Sequence, residues 1–217
     1  STFNGSWAMM FEAELQSDTL RGKFYSGVSY VSEWIAVRNP EARLRNEAAL
    51  TYVVNDQKVR TSDMVQLNGK AFSLKPKEGK VVVLQIMGTW CPNCLDEVQF
   101  MNELHERYAQ FGLEIIALAY EVGTNEKQTR KKLKLFKKKI GMEYDLVLAG
   151  KSSKEVASAQ FPMLNGIMSF PTTIIIGKDG KVLHVHTGYS GPATGSAHKE
   201  LTDKIQLEIE MALDILK

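Results

Sequence analysis

Val81-Val82-Val83-Leu84-Gln85-Ile86-Met87-Gly88-Thr89-Trp90-Cys91-Pro92-Asn93-Cys94 carries the main structural signal of this chain. Its first half is apolar and β-branched and reads as a buried strand. Gly88-Thr89-Trp90 makes the turn that follows. Pro92 suits the first position of a helix, where its missing N–H costs nothing. Leu95, Val98, Met101, Leu104 and Tyr108 then recur at three- and four-residue steps, which predicts a helix of about five turns with one core face. Cys91 and Cys94 are the only cysteines in 217 residues. Sulfurs at i and i+3 on a first helical turn lie close enough to close a disulfide. The small ring opens again without disturbing the rest of the fold, as a two-electron thiol switch requires.

Position assigns the two sulfurs different roles. Cys91 falls at the helix start, where unpaired backbone N–H groups and the positive end of the dipole favour a thiolate. Such placement lowers a thiol pKa from ~8.5 to between ~3.5 and ~7.5. Cys94 lies one turn inside and more covered, so Cys91 is the attacking sulfur and Cys94 the resolving one. Other uses of the pair fit less well. A disulfide across so short a loop restrains little chain entropy. A structural zinc needs four ligands, and His105, roughly 16 Å further along the helix at ~1.5 Å per residue, cannot join two. Covalent haem attachment would need histidine where Leu95 stands.

Composition sets few limits. Hydrophobic residues make up 44% and charged residues 24% of the chain, ordinary values for a globular protein. The formal charge of +2 argues neither for nor against nucleic acid. No apolar stretch approaches the ~18 residues of a membrane span. The chain opens Ser1-Thr2-Phe3 and looks processed or truncated, so the missing leader leaves the compartment open.

Residues 1–61 read as a β-rich segment. Turn signals at Asn4-Gly5, Ser17-Asp18 and Ser26-Gly27 separate strands at Trp7–Leu15, Leu20–Tyr25 and Val28–Val37, an antiparallel meander. A short helix, Glu41–Leu50, follows Pro40, and residues 51–61 connect onward. Residues 62–217 alternate strand and helix. Asn68-Gly69 marks a hairpin between residues 65–67 and 71–74. After the cysteine helix come a strand at Leu113–Ala119, a basic helix at Glu126–Ile140, a strand at Tyr144–Leu148 and a short helix at Lys154–Ala159. Thr172–Ile176 and Val182–Thr187 form a hairpin across Asp179-Gly180. A last helix, Ala197–Leu216, turns Leu201, Ile205, Ile209, Leu213 and Leu216 inward. The pattern predicts an α/β fold, a central mixed sheet with helices on both faces, behind a small β-rich N-terminal segment.

Three features read as structure. Leu133, Phe136 and Ile140 sit at helical spacing, so the lysines of Arg130–Lys139 line a solvated face. His184 and His186 share one face of a strand without a third ligand and read as surface histidines. Gly191-Pro192-Ala193-Thr194-Gly195 lacks the Gly-Lys-Ser/Thr of a phosphate loop, so no nucleotide is expected.

Gly88-Thr89-Trp90-Cys91-Pro92-Asn93-Cys94 after a buried strand, with Phe170-Pro171-Thr172-Thr173 before Ile174-Ile175-Ile176, resembles the thioredoxin superfamily. Within it the chain is most similar to the TlpA/ResA-like thiol-disulfide oxidoreductases of the bacterial cell envelope. Gly177-Lys178-Asp179-Gly180-Lys181-Val182 and Gly188-Tyr189-Ser190-Gly191 also fit. The resemblance covers residues 62–217, and the stretch from Ala119 to Phe170 resembles the insertion of this branch. Residues 1–61 resemble the end of a β-rich region found before such domains. The resemblance implies a thioredoxin-like fold and disulfide exchange with protein thiols, running as reduction. It further implies an extracytoplasmic place in periplasm or envelope and a membrane or envelope electron donor, with no bound cofactor and no nucleic acid. It implies a cis Pro171 against the cysteines, and a substrate groove lined by Trp90, Pro92, Phe170, Pro171 and Gly188. The branch carries a glutamate matching Glu97 that tunes the cysteine pair, whereas Asp96 points elsewhere. Absent that role, both acids are solvated first-turn residues favoured by the helix dipole. Plain thioredoxins place an aspartate where this chain has Gln85, which cannot exchange a proton near neutral pH.

Two other functions fit this sequence less well. Peroxiredoxins share the fold, but their cysteine follows a proline by seven positions and a threonine or serine by three. Leu84 and Gly88 precede Cys91 at those spacings, and Met87 and Cys91 precede Cys94. An envelope binding protein with idle thiols, acting through its N-terminal strands, would show a Cys91 inert to alkylation.

Overall fold

The computed structural model describes residues 9–26, 30–43, 49–74 and 79–216. The expected turns at Asn4-Gly5 and Ser26-Gly27, the starts of the expected strands at Trp7 and Val28 and half of the helix at Glu41–Leu50 lie wholly or partly outside these residues. The chain divides into two compact units, Ser1–Leu44 and Arg45–Lys217.

The first unit is an antiparallel meander of β1 (Met9–Gln16), β2 (Thr19–Ser26) and β3 (Tyr30–Val37). Leu15 opposes Leu20, and Leu20 opposes Ala36. Period-2 alternation puts Phe11, Phe24 and Trp34 on one face, with Phe11 and Phe24 centroids 4.6 Å apart.

The second unit is built on a six-stranded mixed sheet in the order β4-β7-β6-β5-β8-β9. Its strands are β4 (Val65–Gln66), β5 (Val81–Met87), β6 (Leu113–Glu121), β7 (Asp145–Lys151), β8 (Thr172–Ile176) and β9 (Val182–Thr187). The helices are α1 (Pro92–Tyr108), α2 (Glu126–Ile140), α3 (Lys154–Gln160) and α4 (Ser196–Leu213). β5, every residue of it buried, sits at the centre, parallel to β6 and antiparallel to β8. Alternate residues feed two cores. Val81, Val83 and Met87 pack with α1, Leu133 of α2 and Ile205 of α4, while Val82, Leu84 and Ile86 pack with Ala157 of α3 and Phe161.

The structure moves several expected boundaries. Residues 51–61 belong with the second unit, for Val53 pairs with Leu164, Val54 N–H donates to Met163 O at 2.8 Å and Arg60 N–H to Gln160 O at 2.8 Å. The Asn68-Gly69 turn forms, with Gly69 N–H donating to Gln66 O, but β4 keeps two residues because its sheet partner is β7. The stretch between Ala119 and Phe170 holds α2, β7 and α3, and β7 lies inside the sheet. α4 stops at Leu213, where Asp214 turns left-handed at φ 60° and donates to Glu210 O and Met211 O. Leu216 therefore lies past the helix and is half exposed, not inward. His186 is likewise no surface residue: it is 7% exposed and pairs with Glu208 of α4, whose other oxygen lies 3.2 Å from His184 Nδ1. On α2 the other lysines face outward over buried Leu133 as expected, but Lys137 is half-buried and donates from Nζ to the Tyr144 backbone oxygen. Among the described residues no helix is long and apolar enough to cross a membrane.

Candidate functional site

β5 ends at Met87 and the chain turns through Gly88-Thr89-Trp90 into α1. Gly88 is required by close approach, since a Cβ there would stand 2.2 Å from Trp90 Nε1. The turn is tied to the next strand: Trp90 Nε1–H donates to Tyr120 O at 2.8 Å, and Thr89 donates from N and Oγ1 to the two oxygens of Glu121, each at 2.7 Å. Cys91 is the N-cap of α1, its sulfur accepting the Cys94 N–H at 3.4 Å, and Pro92 takes the first position.

From the opposite side of the cleft comes the loop before β8. The Phe170–Pro171 bond is cis. Phe170 O lies 3.6 Å from Cys91 Sγ, accepting from the thiol. The Phe170 ring meets Trp90 edge-on at 5.5 Å and Tyr120 at 5.7 Å. Gly188, at φ 85°, donates its N–H to Pro171 O at 2.8 Å, and no atom would lie within 4 Å of a Cβ there. The structure thus brings Trp90, Phe170, Pro171 and Gly188 around Cys91; Pro171 is buried and the other three are half-buried. Both cysteines are free thiols, Cys91 6% exposed and Cys94 fully covered.

The two thiols are pushed in opposite directions. The hydrogen bond from the Cys94 thiol holds the Cys91 pKa below its ordinary value, helped by the N–H groups of Cys94 and Asn93 and opposed by burial. Burial raises the Cys94 thiol far above its ordinary range, and the interaction with Cys91 adds to this.

Glu97 is not a solvated first-turn acid. It is fully buried on the inner face of α1, between two side chains that face each other across the β5–β8 ladder. Gln85 Nε2 donates to one carboxylate oxygen at 2.8 Å and Thr173 Oγ1 to the other at 2.8 Å. Burial pushes its pKa up to about 7 against these two donors. Tyr144 O–H donates to Gln85 Oε1 at 2.9 Å and completes the chain. Asp96 is exposed and points away, as expected. The sequence reading missed Tyr144, Thr173 and Glu121 as neighbours of the site. A glutamine in an otherwise apolar strand was the available signal that a polar partner lay opposite. No group of three or more His, Cys, Asp or Glu side chains is arranged to hold a metal among the described residues.

A mixed sheet with a Cys-x-x-Cys pair capping the helix after its central strand, faced by a cis proline, defines a thioredoxin-like protein. The family described as Redoxin matches residues 52–202. The thiol-disulfide oxidoreductase ResA of Bacillus thuringiensis (strain Al Hakam) is 34% identical over 120 residues, 55% of this chain and 62% of that protein. ResA of Halalkalibacterium halodurans is 31% identical over 162 residues, 75% of this chain and 78% of its own length. Among solved structures, a secreted thiol-disulfide isomerase from Corynebacterium glutamicum shares the fold at a TM-score of 0.54 and 17% identity, over 80% of this chain and 96% of that one. The chain belongs to the redoxin family, on the TlpA/ResA-like side of the thioredoxin superfamily. The matched stretch covers less than two thirds of the length of the Bacillus relative.

Proposed function

We propose that this chain is a thiol-disulfide oxidoreductase that reduces disulfides in protein substrates. The observation that carries the proposal is Cys91 Sγ, favoured as a thiolate at the α1 N-cap and lying against Phe170 O while Cys94 is sealed behind it. The Cys91 thiolate attacks one sulfur of a substrate disulfide. A mixed disulfide forms and the first substrate thiolate leaves. Cys94, deprotonated in turn, attacks Cys91 Sγ, closing Cys91–Cys94 and releasing the second substrate thiolate. Two electrons pass to the substrate, and its two thiolates take up protons. Glu97, buried beside the pair and titrating near neutrality, is the group suited to accept the Cys94 proton. Once Cys91 has ionised it no longer donates to Phe170 O, which frees that carbonyl for a substrate backbone N–H, with Trp90, Pro92 and Gly188 along the groove.

This reading includes an extracytoplasmic setting, periplasm or cell envelope, a membrane or envelope donor that re-reduces the pair, and no cofactor beyond the sulfurs. The test is dithiothreitol-driven reduction of a model protein disulfide. The wild type should accelerate it and Cys91→Ser should abolish the acceleration; no acceleration by the wild type, or full activity in the variant, overturns the proposal. Reducing direction predicts a potential for the pair nearer ~−270 mV than ~−120 mV.

A further inference from the structure

Gln85 is the hinge of a buried polar chain that the exchange chemistry alone does not explain. An amide can face Glu97 in two ways. With the NH2 end toward Glu97 it donates, and the carboxylate is favoured; with the oxygen end toward Glu97 it must receive a proton from a neutral carboxyl. In the structure Tyr144 O–H donates to Gln85 Oε1 at 2.9 Å, and the NH2 end is turned to Glu97 at 2.8 Å. Tyr144 is itself fixed. It is 2% exposed, its backbone oxygen accepts from Lys137 Nζ, and its ring lies 6.2 Å from that of His105.

We propose that Tyr144 is a positioning residue that, through Gln85, holds Glu97 in its ionised form. Donation into Gln85 Oε1 polarises the amide and strengthens its Nε2–H as a donor, an effect that a buried, low-dielectric chain enhances. Thr173 Oγ1 supplies the other donor from β8. The titratable groups that face Glu97 are Cys91 at the N-cap of α1, Cys94 on α1, Tyr144 before β7 and Tyr189 after β9. The thiols and phenols disfavour a nearby negative charge when ionised and are neutral when protonated, so none of them replaces the Gln85 donor.

The inference rests on the proposed role of Glu97 only for its consequence in exchange; the titration of Glu97 is read without any substrate. In reduced protein carrying 13C-labelled glutamate, Tyr144→Phe, which keeps the ring and removes the hydroxyl, should move the Glu97 carboxyl midpoint upward by about half a pH unit. The inflection that Glu97 imposes on the pH profile of Cys91 alkylation should move upward with it, without a rise in the pKa of Cys91 itself. A Glu97 midpoint unchanged in Tyr144→Phe overturns the proposal, whatever the variant does to disulfide reduction. Should the variant not fold, the unsubstituted protein decides: the Gln85 side-chain amide and the Tyr144 Cζ resonance should titrate with Glu97 at one midpoint, and resonances that stay flat through it overturn the proposal equally.

Discussion

At Cys91 two opposing effects meet. Burial of all but 6% of the residue disfavours charge, while the Cys94 thiol and the first N–H groups of α1 favour it, and the donors win. Cys94 has the burial without an equivalent set of donors. In reduced protein, brief treatment with limiting iodoacetamide should therefore label Cys91 first, with an apparent pKa below that of a free thiol. Mass spectrometry that finds Cys94 modified first would reverse the assigned roles. Glu97 enters the same balance, because its negative charge raises the Cys91 pKa. The alkylation profile should thus carry an inflection near pH 7, where Glu97 ionises. Glu97→Gln should remove that inflection and lower the Cys91 pKa, and Asp96→Asn, on the exposed side of α1, should leave the profile as it was. An unaltered profile in Glu97→Gln would detach the carboxylate from the thiols.

β9 and α4 are joined by one carboxylate serving two imidazoles. Glu208 reaches both His184 and His186, and His186 is nearly inaccessible to water. Removing the carboxylate leaves a buried ring nitrogen unpaired, a cost of roughly 1–3 kcal/mol. Glu208→Ala should lower the denaturant midpoint accordingly without changing Cys91 labelling, whereas Glu208→Gln, which keeps a hydrogen-bonding group, should lose less; equal midpoints for wild type and Glu208→Ala would show the pair to be idle. This junction also marks where sequence reading stops. β5, α1, α2 and β8 follow from local sequence, because each has an apolar pattern of its own that matches its burial, whereas β9 exposes Leu183 and buries His186 and Thr187. Glu208 and His186 are 22 positions apart, and nothing local pairs them. The same holds for Glu97, whose partners Gln85 and Thr173 meet only through the β5–β8 register, and for Tyr144, 59 positions from Gln85. Cys91 and Cys94 were legible because their chemistry is carried by adjacent residues. The end of α4 was misplaced because Leu216 continues the apolar spacing, while the left-handed Asp214 that breaks the helix has no such signature.

For the molecule as a whole, the buried carboxyl behind the thiols makes folding depend on pH. Glu97 titrates at about 7 in the fold against an ordinary 4.5, so between these values the native state binds the proton that the unfolded chain has released. Stability then falls as pH rises, since the slope of unfolding free energy with pH follows the protons bound in the unfolded state minus those bound in the native state. The contribution is fully present below pH ~4.5, shrinks through neutrality and is absent above pH ~7, and its full span is about 3 kcal/mol. The second unit must supply this through its two cores, the price of keeping an acid where water cannot reach it. Denaturant titrations of the reduced protein at pH 5 and pH 8 should show the lower midpoint at pH 8, and Glu97→Gln, neutral at both, should remove most of the difference. A wild type equally stable at the two pH values, or a Gln variant that keeps the full slope, would place the proton elsewhere in the structure.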